Sequence, residues 1–327
     1  MHSLWLDLPQ KSRGPREEPR SGGNAPNAVR TMTAAATPAA RRTPLHAVRL
    51  LLKLVQFEHT IFALPFAYAG ALIAASGNPG WSRIAWITLA MAAARSCAFA
   101  LNRLIDRAID SRNPRTAQRP SVTGEVTTPA MLALAAVAAL LLVLAAANLN
   151  TLCLKLCPIP LALFILYPYC KRFTLLAHFV LGAGIAGAPV GGFLAVRGEW
   201  DTPAILLGLC VLFWMGGLDI LYALQDVDID RAQHLHSVPS RLGIQNAFYV
   251  SDASHAVCAA LLVATGIAAH LAWPYWLGAA AGIALLVYEH SLVSPTDFSR
   301  VNRAFFTVNS YFAVAVFCGV LAAVALH

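Results

Sequence analysis

Charge is scarce in this chain. Asp, Glu, Lys and Arg make up 12% of the 327 residues, about half the share of a soluble globular domain. Hydrophobic residues reach 58% and the mean hydropathy is +0.61. A water-soluble enzyme is therefore excluded. Other absences narrow the field further. No run of about ten alternating residues repeats, so a membrane β-barrel is excluded. No Gly-x-x-x-x-Gly-Lys phosphate loop is present. The seven cysteines (Cys97, Cys153, Cys157, Cys170, Cys210, Cys258 and Cys318) lack zinc-finger spacing. All seven read as small buried hydrophobes inside apolar segments. No cleavable signal peptide is visible at the N-terminus.

What is abundant is long apolar sequence. Spans are expected near 57–76, 84–103, 130–148, 153–170, 175–196, 203–223, 254–271, 272–289 and 304–326, each near the ~20 residues that cross a bilayer as a helix. The expected fold class is all-α, a polytopic membrane protein of about nine transmembrane helices. Lys155 and Pro158 interrupt the fourth span. Residues 1–45 are rich in Arg, Pro, Ser and Ala and read as a disordered tail before a membrane domain at 46–327. Met32 offers an alternative start, and Asp7, Glu17 and Glu18 argue against a transit peptide.

The net charge of +8 is unevenly placed. Basic residues crowd the tail (Arg41, Arg42, Arg49, Lys53) and the loops after the second, fourth, sixth and eighth spans (Arg107, Arg112, Arg115, Arg119; Lys171, Arg172; Arg231, Arg241; Arg300, Arg303). The opposite loops hold only Arg83, Lys155 and Arg197. The positive-inside rule then puts the N-terminus and the basic loops on the cytoplasmic side of an inner or plasma membrane. In so apolar a chain the basic residues signal topology and an anionic substrate, not nucleic acid.

Two acidic segments stand about 120 residues apart on that cytoplasmic side. One holds Asn102, Asp106 and Asp110, the other Tyr222, Asp226 and Asp230. Four residues turn a helix through about 400°, so each set is expected to share one face of a continuing helix. Stacked carboxylates repel unless a cation lies between them, which points to a divalent metal. Asp228 is out of register and expected to point away. Arg95 lies inside the second span, seven residues before Asn102 and on the same face. An arginine at that depth costs about 2.5 kcal/mol or more, and its plain alternative is snorkelling to the interface.

Carboxylates together with bidentate arginines suit a polyphosphate group. Four carboxylates and a diphosphate carry roughly −7 and two Mg²⁺ supply about +4. Arg95, Arg115 and Lys171 would bring the sum near zero. Arg112 reads as a headgroup anchor, and Arg115 and Arg119 as reaching the acids. Tyr167, Lys171, Arg172 and Thr174 form a third patterned segment that fits a site or an interfacial anchor equally well. The segment from Asp226 to Asp230 fails as a calcium loop because Arg231 occupies its glycine position. His234 and His236 read as loop residues. Gly184, Gly187, Ala188, Gly191 and Gly192 read as helix-packing surfaces.

Together, Asn102-x-x-x-Asp106-x-x-x-Asp110, Tyr167-Pro-x-x-Lys171-Arg172-x-Thr174 and Tyr222-x-x-x-Asp226-x-x-x-Asp230 resemble the UbiA superfamily of intramembrane prenyltransferases over residues ~50–326. The resemblance implies nine helices around a central cavity, with the acid motifs facing one another. It implies that Asp106, Asp110, Asp226 and Asp230, with Asn102 in the same cluster, hold two Mg²⁺ on the diphosphate of a polyprenyl donor. It places Arg95, Arg115, Tyr167, Lys171 and Tyr222 on the diphosphate. The implied reaction transfers the polyprenyl group to a hydroxylated aromatic acid of ubiquinone or menaquinone biosynthesis. One departure concerns the acceptor. Hydroxybenzoate enzymes commonly follow the second motif with a Lys-Ser-Thr-like stretch, where this chain has His236-Ser-Val-Pro239. With the segment from Glu58 to Pro65 and Tyr288-Glu-His290, that stretch resembles a related branch, some of whose members act on dihydroxynaphthoate. A non-quinone acceptor such as a porphyrin is the alternative. A cation-coupled transporter fits less well, because its acids belong at mid-span.

Overall fold

The computed structural model describes residues 63–326. The tail, Met32, the domain boundary near residue 45 and residues 58–62 of the branch-like segment fall outside them. Nine principal helical segments run through the rest. They are α1 (Leu64–Ala75), α2 (Trp81–Ile105), α3 (Thr128–Leu149), α4 (Thr151–Cys170), α5 (Ala177–Arg197), α6 (Thr202–Ala223), α7 (Ile244–Ala268), α8 (Trp273–Ser291) and α9 (Asn309–Ala325). Seven helices among the described residues are long and apolar enough to cross a membrane. No strand occurs among these residues. The all-α membrane architecture is therefore as the sequence implies.

Several boundaries carry physical information. α4 is interrupted at Cys157, where Pro158 begins a fresh helical segment, because proline supplies no amide N–H to the preceding turn. α7 starts at Ile244, ten residues before the expected position of 254. Its first turns are disguised by polar residues: Gln245, Asn246 and Asp252 are exposed, while Ser251 faces protein, its Oγ donating to the Gly217 carbonyl at 2.8 Å. α9 is entered through a π-helical turn, Arg303–Val308.

The helices pack in sequence neighbours and across the bundle: α6 lies between α5 and α7, α2 against α3, α8 against α9, and α1 against α5 and α9. The centre is aromatic. Trp214 packs on Phe66 and Phe312 with ring centroids 5.2 and 4.9 Å away, and its indole N–H donates to Asn309 Oδ1 at 2.6 Å. The outer surface is apolar, with Leu140, Val287, Ile267 and Leu277 exposed, as a bilayer-facing surface must be. Trp81, Trp200 and Trp273 stand exposed where α2, α6 and α8 begin. That is the end remote from the acid motifs, and tryptophan favours such an interface.

The cysteines are free among the described residues. Five are buried, but Cys153 is half-buried and Cys318 is exposed on α9, so the expectation of uniform burial is corrected. Cys210 and Cys258 meet across α6 and α7 with sulfurs 3.5 Å apart. The glycine surface of α5 is also more selective than expected. A Cβ at Gly192 would collide with the Ala67 carbonyl, and one at Gly70 with that of Pro189, so α1 and α5 touch backbone to backbone there. Gly184, Gly187 and Gly191 face open space instead. Gly192→Ala should therefore cost about 1–3 kcal/mol through overpacking, read as a lowered thermal midpoint in detergent. Gly187→Ala should leave the midpoint unchanged or raise it, because alanine is the better helix former.

Candidate functional site

Both acid motifs lie at helix ends, and both break at their middle aspartate. α2 stops at Ile105, Asp106 adopts φ −89°, ψ 1°, and a short helix Arg107–Asp110 follows. In the second motif a 3₁₀ turn, Leu224–Asp226, follows α6. Asp226 adopts φ −108°, ψ 6°, and Val227–Ala232 forms the next helix. The expectation of one uninterrupted helical ladder is thus corrected. Each middle aspartate sits in the sparsely populated bridge region, where functional residues often lie. The i, i+4 neighbour relation survives in the first motif, where Asn102 Nδ2 donates to Asp106 Oδ2 at 2.9 Å.

The two motifs converge through basic side chains. Lys171, at the end of α4, makes an ion pair and hydrogen bond with Asp106 Oδ2. Arg172 donates to the Ile105 carbonyl at 2.9 Å and lies 4.0 Å from Asp106 Oδ1. Arg115, from the loop after the first motif, pairs through its guanidinium with both oxygens of Asp226 in the second. It also donates to the Tyr222 hydroxyl at 3.4 Å. Asn113 Nδ2 adds a bond to Asp226 Oδ1 at 2.9 Å. Arg119 Nη1 bonds Asp110 Oδ1 at 2.7 Å, and Arg103 Nη1 lies 3.9 Å from the other oxygen. Asp230 is half-buried and faces Ser237, Asp226 and Lys171. Tyr167 reaches inward toward Asp106, Arg103 and Asp219.

Burial sets the energetics. Asp106 is 2% and Asp110 6% exposed. Burial pushes the Asp106 carboxyl above the ordinary carboxylate range, against the pull of Lys171. Asp106 Oδ1 and Asp110 Oδ2 are buried with no hydrogen-bond partner, so each retains an acceptor for a further cation or donor. Among the described residues no three acidic, histidine or cysteine side chains close a cage around a metal.

Among the expected site residues, Asn102, Asp106, Asp110, Arg115, Tyr167, Lys171, Tyr222, Asp226 and Asp230 gather at this one end. Arg95 lies on α2 seven residues before Asn102, its guanidinium 4.5 Å from the centre of the Phe99 ring. Asp228 is 92% exposed, as its register requires. His234 takes a left-handed φ of +56° in the loop, and His236 Nε2 accepts from Arg241 at 2.8 Å. The sequence reading missed Arg103 and Asn113. Arg103 is seven residues, two turns, before Asp110, the same spacing that singled out Arg95. Asn113 carried no signal, because its target is 113 residues away.

A sequence profile described as the UbiA prenyltransferase family matches residues 63–324. The chain belongs to the UbiA prenyltransferase family. A 4-hydroxybenzoate octaprenyltransferase of Pseudoalteromonas translucida is 31% identical over 288 residues, 86% of this chain and 97% of that protein. One of Pseudomonas fluorescens is 33% identical, over 78% of this chain and 86% of its own. Among solved structures, the apo UbiA homolog of Aeropyrum pernix K1 superposes with a TM-score of 0.74 at 32% identity, covering 81% of this chain and 98% of that one. The Archaeoglobus fulgidus UbiA homolog bound to DMAPP and Mg²⁺ has a TM-score of 0.61 at 18% identity, covering 81% and 98%, and shares the fold. The protein is thus a membrane prenyltransferase.

In this prenyltransferase the Arg115 contacts strap the 111–119 loop to the second motif. Arg115→Ala should raise amide hydrogen exchange in that loop roughly tenfold, equivalent to about 1.4 kcal/mol. Arg112 is exposed, and Arg112→Ala should leave the exchange unchanged.

Proposed function

We propose that this prenyltransferase moves a polyprenyl group from a polyprenyl diphosphate to a hydroxylated aromatic acid, of the 4-hydroxybenzoate or dihydroxynaphthoate type, with Mg²⁺ as cofactor. The observation that carries the reading is the convergence of both acid motifs with Lys171, Arg115 and Arg119 at one helix end. The absence of a three-ligand cage among the described residues also fits. Mg²⁺ is commonly held by one or two carboxylates and completed by substrate phosphates. Asp106 Oδ1 and Asp110 Oδ2, which accept no hydrogen bond and have only a distant guanidinium 3.9–4.0 Å away, are the acceptors such an assembly needs. Asp106, Asp110, Asp226 and Asp230 would hold the metal, with Asn102 orienting Asp106. When bound, Mg²⁺ supplies positive charge that stabilises diphosphate as a leaving group.

The chain's own groups do the rest. Lys171 and Arg115, now paired with carboxylates, are placed to turn toward phosphate oxygens as the substrate enters, with Arg119, Tyr167 and Tyr222 beside them. The allylic C–O bond breaks and its electron pair leaves with diphosphate. Aromatic faces stabilise the carbocation; Tyr222 and Phe305, with ring centroids 4.2 Å apart, offer such a wall. The acceptor ring attacks through carbon and then releases a proton. Water must be kept out while the cation exists, which suits a site recessed in a bilayer. Arg95 lies deeper along α2 and is placed to meet the donor or the acceptor carboxylate. The crowding of basic residues around the acid motifs supports a cytoplasmic site.

Asp106→Ala and Asp226→Ala should each reduce prenyl transfer by a factor on the order of 10³ in membranes supplied with polyprenyl diphosphate, and EDTA should abolish it reversibly. Full activity in either variant would remove the metal assignment. Parallel assays with 4-hydroxybenzoate, a dihydroxynaphthoate and a porphyrin identify the acceptor. A porphyrin product alone would replace the quinone reading.

A further inference from the structure

The residues that follow the second acid motif, His236-Ser-Val-Pro239, mark the chain's departure from the usual hydroxybenzoate pattern, and nothing above gives them a task. Their backbone has one. Three amides of this loop each bond a different anchor. Leu235 N–H donates to the carbonyl of Asp230 at 2.8 Å, and His236 N–H to the carbonyl of Lys171 at 2.7 Å. Val238 N–H donates to His178 Nε2 at 3.2 Å. The loop thus ties together the residue that ends the second acid motif, the lysine that pairs with the first, and a histidine on α5. A capping box between Ser237 and Ser240 fixes the turn that presents these amides.

His178 is the one side chain among the three anchors. It is 4% exposed and its other nitrogen, Nδ1, lies 2.7 Å from Asp219 Oδ2. The bond from Val238 fixes its state. A backbone N–H can only donate, so Nε2 must present its lone pair. The proton is then on Nδ1 and donates to Asp219. Asp219 lies on α6 about one turn before Tyr222, the first residue of the second motif, and on the same face of that helix. Hydrogen-bonded groups that do not themselves touch a metal commonly hold the ligand-bearing segments around it in place.

We propose that His178, held by Asp219, is a positioning residue: it anchors the 235–238 loop and so sets Asp230 and Lys171 at the spacing that metal and diphosphate require. The inference rests on the proposed function. It assigns His178 no contact with substrate. The effect of losing it falls on metal and diphosphate uptake, not on the aromatic acceptor.

The test uses full-length protein in detergent and inorganic diphosphate, with Mn²⁺ uptake followed by the loss of the free-ion paramagnetic resonance signal. His178→Leu keeps the bulk and removes both bonds. It should raise the Mn²⁺ concentration for half-saturation roughly tenfold, while the acceptor KM stays at the wild-type value. His178→Gln retains a neutral donor and a neutral acceptor on one amide group and should restore uptake to within about twofold. Val238→Pro removes the amide donor at a first helical position that accepts proline, leaves a small apolar ring in the buried Val238 position, and should reproduce the leucine variant while His178 stays in place. It serves if His178→Leu does not fold. Uptake within twofold of wild type in both His178→Leu and Val238→Pro overturns the proposal, as does a glutamine variant as defective as leucine. Wild-type protein that takes up no Mn²⁺ with diphosphate overturns the proposed function itself, and this inference with it. Wild-type uptake with unaffected variants overturns only the role of His178.

Discussion

Burying aspartates at the edge of a hydrocarbon slab is the constraint on which the rest of the site depends. An unpaired carboxylate there costs several kcal/mol even after relaxation, so the buried acids at this end are matched to cations drawn from other segments. Asp106 takes Lys171 from α4, Asp110 takes Arg119 from the following loop, and Asp226 takes Arg115 from beyond the first motif. These pairs do not compete with the apolar core around Trp214; they begin where that core ends. They also set a chemical default. With basic groups resting on the carboxylates, the site is electrically closed. A ligand that brings both anionic phosphates and divalent cations can exchange partners without leaving any charge unmatched.

The helices supply the frame for that exchange. α2 and α6 both deliver an acid motif at the same end, and each relaxes out of regular helix at its middle aspartate. Regular helix would keep all three polar residues of a motif in a straight stripe. The break at Asp106 lets Asn102 support that carboxylate while Asp110 engages Arg119 and Arg103. Glycines at the α1–α5 contact bring two backbones together where side chains would hold them apart. The loop after the second motif is held by its amides, so the site is braced from its solvent side as well as from the bundle.

Much of this was legible in the chain. Apolar run length gave helices near the observed ones, since spanning a bilayer demands both length and hydrophobicity. Four-residue spacing gathered Asn102, Asp106 and Asp110, and likewise Tyr222, Asp226 and Asp230. The errors have causes. The first turns of α7 were overlooked because Gln245, Asn246, Ser251 and Asp252 lower local hydropathy, yet they belong to the same continuous helix. The glycines of α5 were read as one packing surface because sequence reports small size and not what stands opposite. Gly192 meets a backbone; Gly187 meets open space.

By itself the sequence determined a membrane-spanning helical chain, two acidic patterns at helix ends and a basic surround, because local periodicity, apolar length and charge placement are written residue by residue. Only the tertiary structure decided which base meets which acid, that both motifs bend at their central aspartate, and that His178 reaches the loop after the second motif. The contacts that join separate helices link residues 41 to 113 positions apart, and spacing along the chain carries no record of such distances.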